Sequence, residues 1–297
     1  MRAIAKEWHT AMKAFQDDGS LQLPYPRSRC LAIDCSTDTL TVALLENGKL
    51  CTQIQERAQR NHSVVLLPRI HQLLCSQGFH VADVHMVAAG QGPGSYTGVR
   101  IATSVAKTLA WTLDLDLIGV SSLAAMALGA YRRYISLHLS SATAHSRVWV
   151  IPFIDARRGQ AFTGLYQVQG DTVSAIIPDH IRLVAPWVEY VSKLAHQGHK
   201  DAKDPYIADE ELPTRIIYVT EVTNDTLHQE DQLLRGIEVQ WVTQAIEAYD
   251  VGVLAYLRKA TGHQNDVHKF APHYAQLPEA EVNLQAKAMK GEDGCGT

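Results

Sequence analysis

Polar and apolar positions alternate in three short runs near residue 30 and mark out a sheet. Residues 30–36 (CLAIDCS) are apolar and close on polar side chains. Residues 40–45 (LTVALL) alternate with β-branched residues, and residues 50–56 (LCTQIQE) follow. Between the second and third runs stands Asn47-Gly48, the pair that suits the two positive φ angles of a type I′ hairpin turn. The pattern predicts a three-strand antiparallel meander. Beyond it the period changes. Leu66, Ile70, Leu73 and Leu74 fall on one helical face, with Ser63 as a candidate cap, Pro68 early in the helix and Gly78 at its end. Residues 84–90 (VHMVAAG) read as a fourth strand. A glycine-rich turn (GQGPGSYTGVR, 90–100) leads into a helix at about 98–113. Residues 115–120 make a fifth strand, and Ser121 or Ser122 caps a helix over 123–133.

The order β-β-β-α-β-α-β-α predicts a mixed sheet covered by helices, the arrangement of a ribonuclease-H-like half-domain. The second half repeats the run without repeating the sequence. Strands are predicted at 147–155, 160–168 and 172–177, a helix at 186–198, strands at 215–220 and 238–242, and a helix at 243–262. Two such α/β halves in tandem suggest an actin-like (ASKHA) duplication. The expected organisation is an N-terminal extension (1–28), a first half (29–130), a second half (131–278) and a flexible tail (279–297). Charged, proline-bearing residues 200–213 read as a loop.

Length and composition agree with this. A chain of 297 residues with 46 % hydrophobic residues can bury two cores. Net charge is −4, so nucleic acid binding would need a local basic patch or a basic partner. Five cysteines without a C-x-x-C pair suggest reduced thiols rather than disulfides or a zinc ribbon. Lys6, Glu7 and His9 interrupt any signal-peptide core, and no run of about 18 apolar residues occurs. A cytoplasmic location, away from membranes, is expected.

Glycine-rich turns after strands often hold phosphate, so three templates apply. A P-loop needs Gly-Lys followed by Ser or Thr, and the one Gly-Lys here is Gly48-Lys49, in the hairpin. A dinucleotide fingerprint needs glycine where Ser95 stands, and Pro93 removes a backbone donor. An actin-like nucleotide site uses two early hairpins and a late Gly-Gly turn. Asp34 and Thr37 match the first hairpin, but Ser36 occupies a usual glycine position. Asp155 and Gly159 match the second, with Arg157 and Arg158 between them, and no Gly-Gly dipeptide exists. An autonomous ATP site is not expected. Ser95 reads instead as a helix cap.

The helix after the glycine turn carries two ridges. Ile101, Val105 and Leu109 form a large one; Ala102, Ala106 and Ala110 form a small one. This is too wide an apolar arc for one buried face. The large ridge is expected to cover the sheet, and the alanine ridge to meet a second helix. That neighbour is either the 64–77 helix of the same chain or helices of a partner.

The segments LAIDCSTDTLTVALLENGKL, GQGPGSYTGVRIATSVAKTLAW, LIGVSSLAAMA and IDARRGQAF together resemble the bacterial TsaB family of tRNA threonylcarbamoyladenosine biosynthesis proteins, also called YeaZ. APHYAQLPEAE is similar to that family's C-terminal Pro-x-Tyr segment, with Gln276 where arginine is usual. The resemblance covers about residues 30–282. It implies a role in placing a threonylcarbamoyl group on N6 of an adenosine beside the anticodon, as a non-catalytic scaffold or activator. It implies dimerisation with a metal-bearing TsaD-type subunit through first-half helices, a TsaE-type ATPase as a further partner, and tRNA reached indirectly through the complex. Partner-facing positions on this reading are Val99, Arg100, Ala102, Ala106 and Lys107, with Leu66 and Ile70. The related catalytic subunit grips metal with two histidines at i, i+4. Ser122 and Met126 stand at those positions here, and none of the 14 histidines forms an H-x-x-x-H pair. No catalytic or metal-binding residue is therefore expected, and no cofactor on the chain alone, with ATP or ADP left open at the interface of a complex. The alternative is an actin-fold ATP-dependent phosphotransferase, with Asp34, Thr37, Asp155 and Arg157 as phosphate or nucleotide contacts. A third reading is self-association through the same helices when the partner is absent.

Overall fold

The computed structural model describes residues 28–58, 61–138, 147–197, 212–221 and 237–275. The N-terminal extension, most of the 200–213 loop, Gln276 and the tail lie outside the described residues. The first half opens with β1 (Arg29–Asp34), β2 (Thr39–Glu46) and β3 (Lys49–Arg57). Then come α1 (His62–Ser76), a 3-10 turn (Val81–Asp83), β4 (Met86–Gly90), α2 (Tyr96–Leu113), β5 (Asp116–Val120) and α3 (Ser122–His138). The second half runs β6 (Val148–Asp155), β7 (Gln160–Gln169), β8 (Thr172–Leu183), α4 (Val184–Gln197), β9 (Arg215–Thr220), β10 (Glu238–Thr243) and α5 (Ala248–Ala260).

Each half builds one five-stranded sheet, ordered β3-β2-β1-β4-β5 and β10-β9-β6-β7-β8. Read from the hairpin end, the second order is the first repeated. The hairpin strands pair antiparallel and the crossover strands parallel. Asn47 and Gly48 both take positive φ (52° and 79°), as the type I′ turn requires.

Both faces of the first sheet are covered, and the period of two shows it. Cys30, Ala32, Ala43, Leu45 and Ala88 point one way, into a core shared with α3, α5 and the second sheet. Leu31, Ile33, Val42, Leu44 and Val87 point the other way, under α1 and α2. The last helix of each half crosses to the other: α3 packs on β6 to β9, α5 packs on β1 to β5, and the two touch. The shared core therefore joins the halves, and α3 runs unbroken through residues 130 and 131. Residues 265–274 return to the first half as a strap along β5, where Asn265 N donates to Leu117 O (2.9 Å) and His273 N to Gln91 O (2.8 Å).

Three helix boundaries differ from the pattern, the first being the end of α3, at His138 rather than 133. Asn61, not Ser63, precedes α1, because its carbonyl already accepts from Val65 N. The last helix starts at Ala248 rather than 243. Residues up to Thr243 stay in the β10 ladder, Gln244 N extends it to Thr220 O, and the freed Ala248 N is met by Thr41 Oγ1 (3.0 Å).

A buried ion pair ties the crossed helices. Arg132 on α3 donates to Asp250 on α5 (2.9 Å) and to Asp171 (2.7 Å). Burial outweighs Arg132 and pushes the Asp250 carboxyl up to about 7. A carboxyl with a raised folded-state value holds its proton more tightly when folded. Its contribution is full below the unfolded value of about 4 and shrinks as pH rises toward 7, by about 1.4 kcal/mol per unit. The urea midpoint should therefore fall between about pH 4 and about pH 7, and Asp250→Asn should flatten that fall. An unchanged slope in the variant would assign the pH dependence to other groups.

Candidate functional site

The glycine turn lies flush against the β1–β2 turn. A Cβ on Gly98 would sit 1.8 Å from Cys35 O, and one on Gly94 2.2 Å from Ser36 O. Ser95 N donates to Ser36 O (2.6 Å), while Ser95 Oγ caps α2 by accepting from Gly98 N. These glycines let two backbones meet. What fills their concavity is the chain itself.

Asp34 sits at the centre of this contact, fully buried. Its Oδ1 accepts from Ser36 N (2.7 Å) and Ser36 Oγ (2.6 Å), and its Oδ2 from Ser122 Oγ (2.6 Å). Gly90 is open for that carboxylate: a Cβ there would lie 1.7 Å from Oδ2. Burial raises the Asp34 carboxyl, with the Ser122 and Ser36 hydrogen bonds opposing the shift. A carboxylate sealed by three internal donors does not fit the open ligand that Mg²⁺–ATP needs. Thr37 Oγ1 accepts from Thr39 N (3.1 Å) within its own turn. Asp155 lies exposed at the β6–β7 turn and accepts from Arg157 N (2.9 Å). Arg157 (φ 67°), Arg158 (φ 54°) and Gly159 (φ 72°) follow in the left-handed region, a strained run for two arginines. Each of these four residues thus bonds inside its own turn or its own half. Met126 is packed in the shared core and Ser122 is spent on Asp34, so the positions of the related metal grip do not fit a metal.

Helix α2 corrects the assignment of its ridges. Ala102 and Ala106 are fully buried and Val99 is 3 % exposed, all against the chain's own core. Small side chains let α2 lie close on β4 and its neighbours. Leu66 and Ile70 are likewise spent inside, at 1 % and 4 %. These five positions cannot face a partner. The large ridge, Ile101, Val105 and Leu109, is half-buried at the flank. The outward line is Ser104, Thr108 and Thr112, and on α1 it is Val64, Leu67, Pro68, His71 and Cys75. The usable signal was that polar line, at i, i+4 and i+8, roughly opposite the alanines. Arg100 and Lys107 are exposed or half-exposed, but both hold the strap: Arg100 Nε donates to Tyr274 Oη (2.7 Å) and Lys107 Nζ to His268 O (3.0 Å).

Pattern reading also missed the bonds that cross between halves. Ser121 Oγ donates to Asp179 Oδ2 (2.6 Å), whose other oxygen accepts from Tyr166 on the neighbouring strand of the same half. Burial raises the Asp179 carboxyl. Thr39 donates to Glu221. None of these pairs has a local spacing that could reveal it.

Residues 52–284 match the family model described as TsaD, tRNA N6-adenosine threonylcarbamoyltransferase. The tRNA threonylcarbamoyladenosine biosynthesis protein TsaB of Bacillus subtilis is 31 % identical over 256 residues, 85 % of this chain and 96 % of the relative. The Escherichia coli protein of that name is 38 % identical over 139 residues, 47 % of this chain and 55 % of the relative. A tRNA N6-adenosine threonylcarbamoyltransferase of Solidesulfovibrio magneticus is 34 % identical over 116 residues, 34 % of this chain and 31 % of the relative. The solved structure of YeaZ from Pseudomonas aeruginosa superposes with a TM-score of 0.60 at 26 % identity, covering 83 % of this chain and 99 % of that one. Sheet order, the glycine turn seated on Asp34 and these likenesses agree: the chain belongs to the TsaB (YeaZ) family, within the wider set of sequences that the TsaD model recognises.

Proposed function

We propose that the chain takes part in tRNA threonylcarbamoyladenosine modification as a non-catalytic subunit, docking through α1 and α2 onto a TsaD-type catalytic partner. The observation that carries this reading is the outer surface of those helices. Their outward line holds Val64, Leu67, Pro68, His71 and Cys75 on α1 and Ser104, Thr108 and Thr112 on α2, with Ile101 and Val105 at its flank and no carboxylate or Lys/Arg among them. Val64 is 69 % and Leu67 55 % exposed, unusual for branched side chains on neighbouring turns. Uncharged centres are what protein interfaces show. Likeness to TsaD sequences adds a geometric reason: two chains of one architecture can set the same helix pair face to face. The sealed Asp34 and the missing metal grip leave the chemistry to the partner. A TsaE-type ATPase and ATP or ADP at the shared interface belong to the same reading.

Leu67→Glu and Thr108→Glu test it. Both sites are exposed, so the melting temperature should hold. Affinity for the co-expressed TsaD-type partner should drop about a hundredfold or more, because an unpaired carboxylate is buried in the contact. Undiminished co-purification of both variants would overturn the interface. Sedimentation of the chain alone reports whether the same face also self-associates.

A further inference from the structure

The flank of α2 facing the strap carries a second surface of different chemistry. Tyr96, Arg100, Lys107 and Trp111 recur so that, at about 100° per residue, they fall within an arc of about 60°. At 1.5 Å per residue the stripe is about 22 Å long. It runs aromatic, cation, cation, aromatic. Neither α1 nor α2 contains an acidic residue. The strap lies alongside and adds Tyr274 and Lys269.

The rings are exposed and held in place. Tyr96 and Tyr274 are 44 % and 41 % exposed, with centroids 5.3 Å apart and tilted by 36°. The Arg100 guanidinium lies 4.0 Å from the Tyr96 centroid and 5.6 Å from that of Tyr274, and its Nε bonds Tyr274 Oη. Trp111 is 69 % exposed, with the His268 ring meeting it edge-on at 6.4 Å. Lys107 Nζ is fixed by the carbonyls of His268 (3.0 Å) and Phe270 (3.5 Å), while the Lys269 side chain is 87 % exposed. Among the described residues Asp266 is bound into this group, accepting from His268 N and lying 3.9 Å from Lys269 Nζ, and Asp114 caps the far end of α2.

We infer that this stripe and strap contact an unpaired stretch of tRNA, with bases stacking on Tyr96, Trp111 and Tyr274 and phosphates meeting Arg100, Lys107 and Lys269. Held aromatic faces interleaved with cations are how proteins bind single strands without reading sequence. Net charge of −4 over the whole chain makes a local basic patch necessary for any such contact, and here one exists. The stripe adjoins the Ser104–Thr108 line on the same helix, so RNA lying on it would run toward the docked partner. The inference rests on the proposed role in tRNA modification, but it assigns direct contact to this chain.

The test measures anisotropy of labelled unmodified tRNA, and of oligouridylate, with the chain in complex with its TsaD-type partner. If no complex forms, the proposed function fails independently, and the same titration runs on the chain alone. Trp111→Ala should weaken binding of both probes roughly tenfold, and Trp111→Phe should restore most of it. Arg100→Glu should weaken binding at least as much and make it less salt-dependent. Partner co-purification should not change for any of these variants, and the Trp111 variants should keep the wild-type melting temperature. Binding by the wild type that survives both Trp111→Ala and Arg100→Glu would overturn the assignment, as would no measurable RNA binding by the wild type. Lost partner binding with unchanged RNA binding would overturn it too, and would make the stripe part of the protein interface.

Discussion

Ala106→Glu should leave no folded chain in which to ask about partners. The side chain is fully buried where α2 lies on the first sheet, in the cluster with Leu31, Ile33 and Ala89. A carboxylate there has no cation to meet and no room, so the loss combines overpacking with an unpaired buried charge. The expected cost is about 5 kcal/mol or more, a large share of the roughly 5–15 kcal/mol that holds most domains. The result should be insoluble protein, or a melt without cooperativity. Ser104→Glu, two residues earlier and outward, should keep the wild-type melting temperature. If Ala106→Glu folds normally and loses only its partner, the alanine ridge faces outward and the packing described above is wrong.

Gly98→Ala pits two effects against each other. Gly98 lies in the first turn of α2, where alanine is favoured over glycine by about 1 kcal/mol on helix propensity. Against that stands a Cβ placed 1.8 Å from Cys35 O and 3.0 Å from Cys35 C. Those are backbone atoms of the β1–β2 turn, and Ser95 N pins the neighbouring Ser36 O. Nothing flexible can yield, so sterics should win by a wide margin. A net loss of about 3 kcal/mol is expected, read as a lower urea midpoint with an unchanged slope. Gly78→Ala is the comparison. Its φ is +72° with open space around it, so its smaller loss, about 1 kcal/mol, should come from backbone strain alone. A Gly98→Ala chain more stable than wild type would show that the two turns do not touch.

Local signals carried most of the architecture. Asn47-Gly48 marks its hairpin because both positive φ values are encoded at the turn itself. The strands of both sheets announced themselves by alternation or by apolar runs, and Leu66, Ile70, Leu73 and Leu74 all went inward as their period required. The site was less legible, because its partners are distant in sequence. Period alone places the Ile101 and Ala102 ridges side by side, and only the closeness of the sheet decides which is buried. The glycines at 94 and 98 answer to Ser36 and Cys35, some sixty residues earlier. Lys107 is met by carbonyls 161 and 163 residues on, so the strap had no signature in the helix it covers. Asp34 looked like a phosphate-site residue because its type and position match one. Its burial under Ser122 is visible only once the halves are folded.

The exchange of α3 and α5 between the sheets has an evolutionary reach. One face of each sheet is covered by a helix encoded in the opposite half of the gene, so on that face neither half has a private interior in which to accept change. A substitution in β6 or β7 is answered by residues of α3, and one in β1 or β2 by residues of α5. On that shared face, then, the two halves can change only in step with one another. Neither could be lost, transplanted or replaced without unroofing its twin.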